Sequence, residues 1–167
     1  MRGCGHVHLV GTRGYPQRQK VRRQASKEMD DTLHARVTGL SERGDQFIAN
    51  GAYHEGLQSY MDALQLLPDP AENWEAATWL LSAIGDAYYS QKDFQKALEA
   101  FSDALICPGG LGNPFIHLRL GEIQYDLQNM DKAKDELTRA YMGAGEEVFA
   151  KEDPKYITWL RQYLHMA

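Results

Sequence analysis

Asp45, Asp86 and Glu122 each follow directly on a glycine, at Gly44, Gly85 and Gly121. Carboxylates that recur at one place in a pattern attract the lysines and arginines of a partner. Cys4, His6 and His8 alternate as metal ligands sometimes do, yet no complementary cluster follows them at zinc-site spacing. Gly109-Gly110-Leu111-Gly112 precedes a helix start, but no strand comes before it and no Lys-Ser or Lys-Thr after it, so the phosphate-loop pattern is absent. Serine, histidine and aspartate are all present without a nucleophile turn of the G-x-S-x-G kind. His34, His54 and His165 have no evident partners, and His117, among Phe115, Ile116 and Leu118, reads as a helix-packing or groove-edge residue rather than a base. These patterns predict no catalytic residues, no metal and no cofactor, and therefore no enzyme. The carboxylate row remains, and its chemistry is binding.

The elements that must position that row are legible as a repeat. Twelve residues on from the three glycines stand Gly56, Ala97 and Ala133; sixteen on, Tyr60, Phe101 and Leu137; nineteen on, Ala63, Ala104 and Ala140. Small, large and small at fixed offsets, with a period of roughly 34 residues, signal stacked helical hairpins that bury their apolar faces only against neighbours. Small residues let two helices approach to about 8 Å while the large one fills the adjoining gap.

Local signals set the boundaries. Leu33, Val37, Leu40, Phe47 and Ile48 share a helical face up to Asn50-Gly51, predicting a first helix over about 31–49. Its partner, over about 53–66, stops at Pro68-Asp69-Pro70. A third helix is expected from Ala71 or Asn73 to about Ser90, with the seven residues in excess of the period placed in Ala71 to Ala77. Asp93 is the expected cap of the fourth, which ends at Cys107-Pro108-Gly109-Gly110. Asn113-Pro114 opens the fifth, Asp131 to Met142 forms the sixth, and Gly143-Ala144-Gly145 turns the chain. Glu146 to Ala150 is expected as a short helix, and Asp153-Pro154 opens a last one that covers the apolar end of the stack.

Composition agrees with one folded domain: 167 residues, 43% apolar and 25% charged, with two cysteines far apart in sequence. The net charge of −5 hides an asymmetry. Residues 1–28 carry seven basic residues against Glu28 alone, leaving 11 basic and 22 acidic residues in the remainder. So acidic a body repels nucleic-acid phosphates and attracts basic partners. No apolar run reaches the roughly 18–20 residues of a membrane span. With no clear signal peptide and no disulfide framework, a cytoplasmic setting is expected. Residues 1–28, with four glycines, a proline and no helical period, lie outside the repeat. Three readings of them stay open: a disordered basic arm, a targeting peptide, or residues foreign to the native product, whose start would then be Met29.

The pattern resembles the tetratricopeptide repeat (TPR) family. That motif sets a small residue and, three positions on, an aromatic on its first helix, then alanine, a bulky residue and alanine on its second. The matches are Gly44 with Phe47, Gly56, Tyr60 and Ala63; Gly85 with Tyr88, Ala97, Phe101 and Ala104; and Gly121 with Ala133, Leu137 and Ala140. The third copy departs, with Gln124 at the aromatic position and Tyr125 one place later, and Pro68 is the only proline at the closing position. The resemblance implies an all-α fold of three antiparallel helix hairpins, over about 37–70, 78–111 and 114–147, in a short right-handed solenoid with a capping helix over about 154–165. The stretch from Cys107 to Gly121 is also similar to one in small bacterial repeat proteins, a kind often encoded beside toxins. That implies a toxin-neutralising partner, with a secretion chaperone or a general scaffold as alternatives.

In such a solenoid the first helices line the concave side. Their outward positions are Thr38, Ser41, Asp45 and Ile48; Trp79, Ser82, Asp86 and Tyr89; and Phe115, Leu118, Glu122 and Tyr125. The expected partner-binding groove is thus Asp45, Asp86 and Glu122 flanked by Trp79, Tyr89, Phe115 and Tyr125. It suits a basic protein, a toxin domain or a secreted protein, rather than nucleic acid or membrane. Repeat proteins that clamp a carboxylate-ended chaperone tail use basic and amide side chains there, so this acidic set argues against that ligand.

Overall fold

The computed structural model describes residues 29–164. The basic segment 1–28, with Cys4, His6 and His8, and His165 lie outside the described residues. Helices run in the order α1 (Asp31–Ala49), α2 (Tyr53–Gln65), α3 (Glu75–Ser90), α4 (Phe94–Ile106), α5 (Pro114–Asp126), α6 (Met130–Ala144) and α7 (Pro154–Leu164), with 3₁₀ turns at Ala71–Asn73 and Gly145–Phe149. Among the described residues there is no strand. No helix there is long and apolar enough to cross a membrane. The pairs α1·α2, α3·α4 and α5·α6 pack most closely, and α2·α3 and α4·α5 join one pair to the next, which is a stack of hairpins.

Each hairpin closes on the contact that the sixteen-residue offset predicts. A Cβ on Gly44 would lie 2.5 Å from the Tyr60 ring, one on Gly85 2.9 Å from Phe101, and one on Gly121 2.6 Å from the Leu137 side chain. The crossing therefore admits only hydrogen on one helix because the other presents a large buried side chain there. Tyr60, Phe101 and Leu137 are buried, as are Ala63, Ala104 and Ala140 one helical turn on.

The turns within the hairpins repeat as closely as the crossings. Gly51, Lys92 and Gln128, each seven residues after its motif glycine, take left-handed backbone with φ of 76°, 60° and 63°. The following amide then donates back to the first helix in every copy: Ala52 to Phe47, Asp93 to Tyr88, and Asn129 to Gln124. The third copy keeps this turn without its aromatic. There the Gln124 side-chain oxygen accepts from Asn129 Nδ2 at 2.9 Å, so a polar clasp replaces ring packing.

Capping follows the sequence signals. Asp30 accepts from the Leu33 amide, Asp93 from Lys96 and Asn113 from Phe115, each satisfying a donor the helix leaves unpaired. Two boundaries differ from expectation: α6 continues through Gly143 to Ala144 in place of the expected turn, and α3 starts late. Residues 71–73 form a separate 3₁₀ turn and α3 starts only at Glu75, because Trp74 is extended (φ −104°, ψ 134°). Its indole N–H donates to the Pro68 carbonyl at 2.7 Å and the ring is buried, which fixes the chain in a bend that a continuous helix could not make.

The connector from α4 to α5 has the strictest steric demand. A Cβ on Gly110 would fall 1.9 Å from the Ala104 carbonyl oxygen, a backbone atom that cannot rotate away. Gly121→Ala should destabilise the domain by about 1–3 kcal/mol through overpacking, and Gly110→Ala by more. Urea unfolding followed by circular dichroism orders the two; an equal or smaller loss at Gly110 would contradict this steric account.

Candidate functional site

The helices α1, α3 and α5 carry the sequence-predicted carboxylates one each, and the three meet different fates. Asp45, on α1, stays exposed and accepts a hydrogen bond from the Tyr60 hydroxyl at 2.6 Å. Burial, and then that bond, push the Tyr60 pKa well above its ordinary value. Asp86, on α3, keeps 39% of its side chain exposed while Oδ1 accepts from Arg119 Nε at 2.6 Å. Glu122, on α5, is fully buried and faces no solvent, which corrects its expected place on an open groove.

Arg119 is the reason. One turn before Glu122 and one turn after Phe115 on α5, its guanidinium donates to Asp86, to Glu122 Oε2 at 2.8 Å and to Glu152 Oε2 at 2.7 Å. The Tyr89 and Phe115 rings lie 4.9 and 5.0 Å from it. A guanidinium between aromatic rings and carboxylates combines cation–π attraction with charge-assisted hydrogen bonds in a site largely free of water. Burial opposes the Arg119 charge, but Glu152, Asp86 and Glu122 together outweigh it and raise its pKa.

Three carboxylates share this one cation, and Glu122 bears the imbalance. Its Oε1 is buried without a hydrogen-bond partner. The nearby Tyr89 hydroxyl favours the charged form of Glu122 but lies in hydrogen-bond range of Tyr156 instead, at 3.4 Å. Burial, the largest influence, pushes Glu122 up to about 7 against the pull of Arg119, and the charge of Glu152 adds to the rise.

The C-terminal segment accounts for the remaining departures. Leu118, projected outward in the sequence, is buried in a cluster with Leu137, Ala140, Phe149, Tyr156 and Leu160. Tyr125 packs edge-on against Tyr156 and Trp159 of α7, with ring centroids 5.4 and 5.2 Å apart. Tyr156 donates to Asp126 at 2.9 Å, and Lys155 pairs with the same carboxylate at 2.8 Å. Thus α7 folds against the third hairpin and packs on Tyr125, with Tyr156 reaching Tyr89, while Glu152 just ahead of it holds Arg119 over Glu122, so these residues are not brought together as an open surface.

Beside Asp86 a cavity of about 390 Å³ stays open between α3, the α4–α5 connector and the start of α5. Glu75, Trp79, Ser82 and Asp86 form its α3 wall, with Asn113 and Phe115 opposite. Trp79 is 36% exposed. No basic residue lines the cavity. His117 is not part of it: the ring is buried, with Nδ1 2.6 Å from Glu136 Oε2 and Nε2 2.7 Å from the Leu111 carbonyl, a strut between α5, α6 and the connector. Among the described residues no group of His, Cys, Asp and Glu is arranged to hold a metal ion.

The stack of hairpins has counterparts among solved structures. The first TPR domain of Spaghetti (RPAP3), solved bound to the HSP90 peptide SRMEEVD, is 19% identical, with 79% of this chain and 95% of that one covered at a TM-score of 0.59. The chain has the tetratricopeptide-repeat fold. The first TPR domain of human RPAP3 is 20% identical over 80% and 92% of the two chains, with a TM-score of 0.58. The C-terminal TPR-containing domain of a Plasmodium falciparum FK506-binding protein is 16% identical over 84% and 93%, with a TM-score of 0.59. No protein-family model and no curated protein sequence matches the TPR-fold chain.

Sequence reasoning missed Arg119 and Glu152. The only signal for Arg119 was its spacing to Phe115 and Glu122 on one helix face, and Glu152 lies beyond the repeat altogether. Replacing Arg119 by Met leaves the buried carboxylates unpaired and should cost about 3–5 kcal/mol, read as a shift of the urea midpoint. A pH series tests Glu122 separately. Because its folded pKa is raised, its contribution is greatest below the ordinary glutamate range and is lost as pH rises through about 7. Relative to wild type, Glu122→Gln should therefore gain stability between pH 5 and pH 8; a constant difference across that range would contradict the assignment.

Proposed function

We propose that this chain is a protein-interaction module whose α1–α3–α5 face holds a basic segment of another protein. The observation that carries the reading is the open cavity: an exposed indole and two carboxylates line it, and no basic residue does. Residues 29–167 add 22 acidic against 11 basic side chains, a field that draws cations toward the face within a screening length of about 8 Å.

The fold supports a binding role, since one structural neighbour was solved with a peptide bound. That peptide, SRMEEVD, ends in acidic residues. Here the guanidinium nearest the cavity is already engaged by Asp86, Glu122 and Glu152, which disfavours an acidic tail and favours the opposite charge. The specific role we propose is neutralisation of a bacterial toxin through its basic surface. The similarity of Cys107 to Gly121 to small toxin-associated repeat proteins supports it, and that stretch forms the connector and the start of α5 beside the cavity.

Fluorescence anisotropy with two dye-labelled unstructured peptides, one alternating Arg and Ser and the other Glu and Ser, tests the charge preference. The Arg peptide should bind at low salt and weaken several-fold at physiological salt, with the Glu peptide not binding. Equal binding of both, or preference for the Glu peptide, would overturn the proposal.

A further inference from the structure

We infer that the cavity along α3 receives an extended partner segment carrying two arginines about five residues apart. This rests on the proposed function and specifies its ligand. Glu75, Trp79, Ser82 and Asp86 are spaced by four, three and four residues, so they form one stripe along α3. Eleven residues of helix put the two carboxylates roughly 16 Å apart. One cation cannot reach both. An extended chain advances about 3.3 Å per residue, so two cations that satisfy both ends stand about five residues apart.

The type of cation follows from what the fold already does with one. Arg119 lies against Phe115 and donates to Asp86 Oδ1, and both of those residues also line the cavity. A second guanidinium entering from solvent meets the same carboxylate, still 39% exposed, with Trp79 on the same wall of the cavity to meet its planar face. Guanidinium suits such a slot better than ammonium because it is planar, stacks on rings and is more weakly hydrated. At the other end Glu75 is exposed and makes no ion pair among the described residues, so it is available to the second arginine. A volume of about 390 Å³ leaves room for the backbone between the two.

Three peptides of equal length test this on the full chain: two of one composition, with arginines five apart or adjacent, and a third with citrulline in place of both. The five-apart peptide should bind about tenfold tighter than the adjacent one, and the citrulline peptide should not bind. Trp79→Ala should lose about tenfold with helicity unchanged and Trp79→Phe should recover most of it, whereas Glu75→Gln should erase the spacing preference alone. None of these three variants touches Arg119. If arginine peptides bind without regard to spacing or to Trp79, the slot is wrong while the basic-partner reading stands; if they bind no better than glutamate peptides, both fall. Residues 1–28 carry the same spacing at Arg13, Arg18 and Arg23. Replacing those three by Gln should leave the peptide affinity unchanged, and a several-fold gain would reassign the slot to the chain's own segment.

Discussion

One desolvated guanidinium organises the second half of this molecule. Arg119 joins α3 through Asp86, its own helix through Glu122, and the entry to α7 through Glu152, with Tyr89 and Phe115 enclosing the charge. A cation taken out of water to this degree persists only where its donors are matched, and the match here draws on three separate stretches of chain. The same contacts decide what the surface offers. They withdraw Glu122 from solvent, divide Asp86 between an internal and an external role, and leave Trp79 and Glu75 as the accessible members of the α3 stripe.

The packing beneath that charge cluster is of another kind. It is apolar, repeated, and enforced by three crossings where a glycine faces Tyr60, Phe101 or Leu137. Those contacts are short-range and identical in logic, so each hairpin forms on local terms and stacks on its neighbour. The ionic contacts are singular and long-range in sequence, and they fix how the last hairpin sits against α7. Repetition builds the scaffold, and the exception to repetition shapes its working face.

This division explains how much was legible in the sequence. Gly44, Gly85 and Gly121 announced hairpins because their environment recurs at constant offsets, and Asp93 and Asn113 announced helix starts because capping is a local act. Arg119 carried no repeat signal, since the equivalent positions in the other copies are Glu42 and Ala83 and no period marks it. Helical projection placed Leu118, Glu122 and Tyr125 outward, but the C-terminal segment packs on Leu118 and Tyr125 and Arg119 draws in Glu122, tertiary events with no periodic trace. The break at Trp74 was hidden for a similar reason. Its indole bond to Pro68 joins residues whose relation depends on an irregular bend rather than on helical spacing.

The engagement of Arg119 by Glu152 also bears on how such a chain can change over evolutionary time. Repeat proteins ordinarily lengthen or shorten by duplication and loss of whole units, because every unit meets the same neighbour. Here a duplicated hairpin inserted between α6 and α7 would carry Glu152 away with the terminal helix and leave Arg119 facing a copy of α5 instead. Adding a hairpin at that end would therefore break the Arg119–Glu152 pair, whereas one added ahead of α1 would leave it intact.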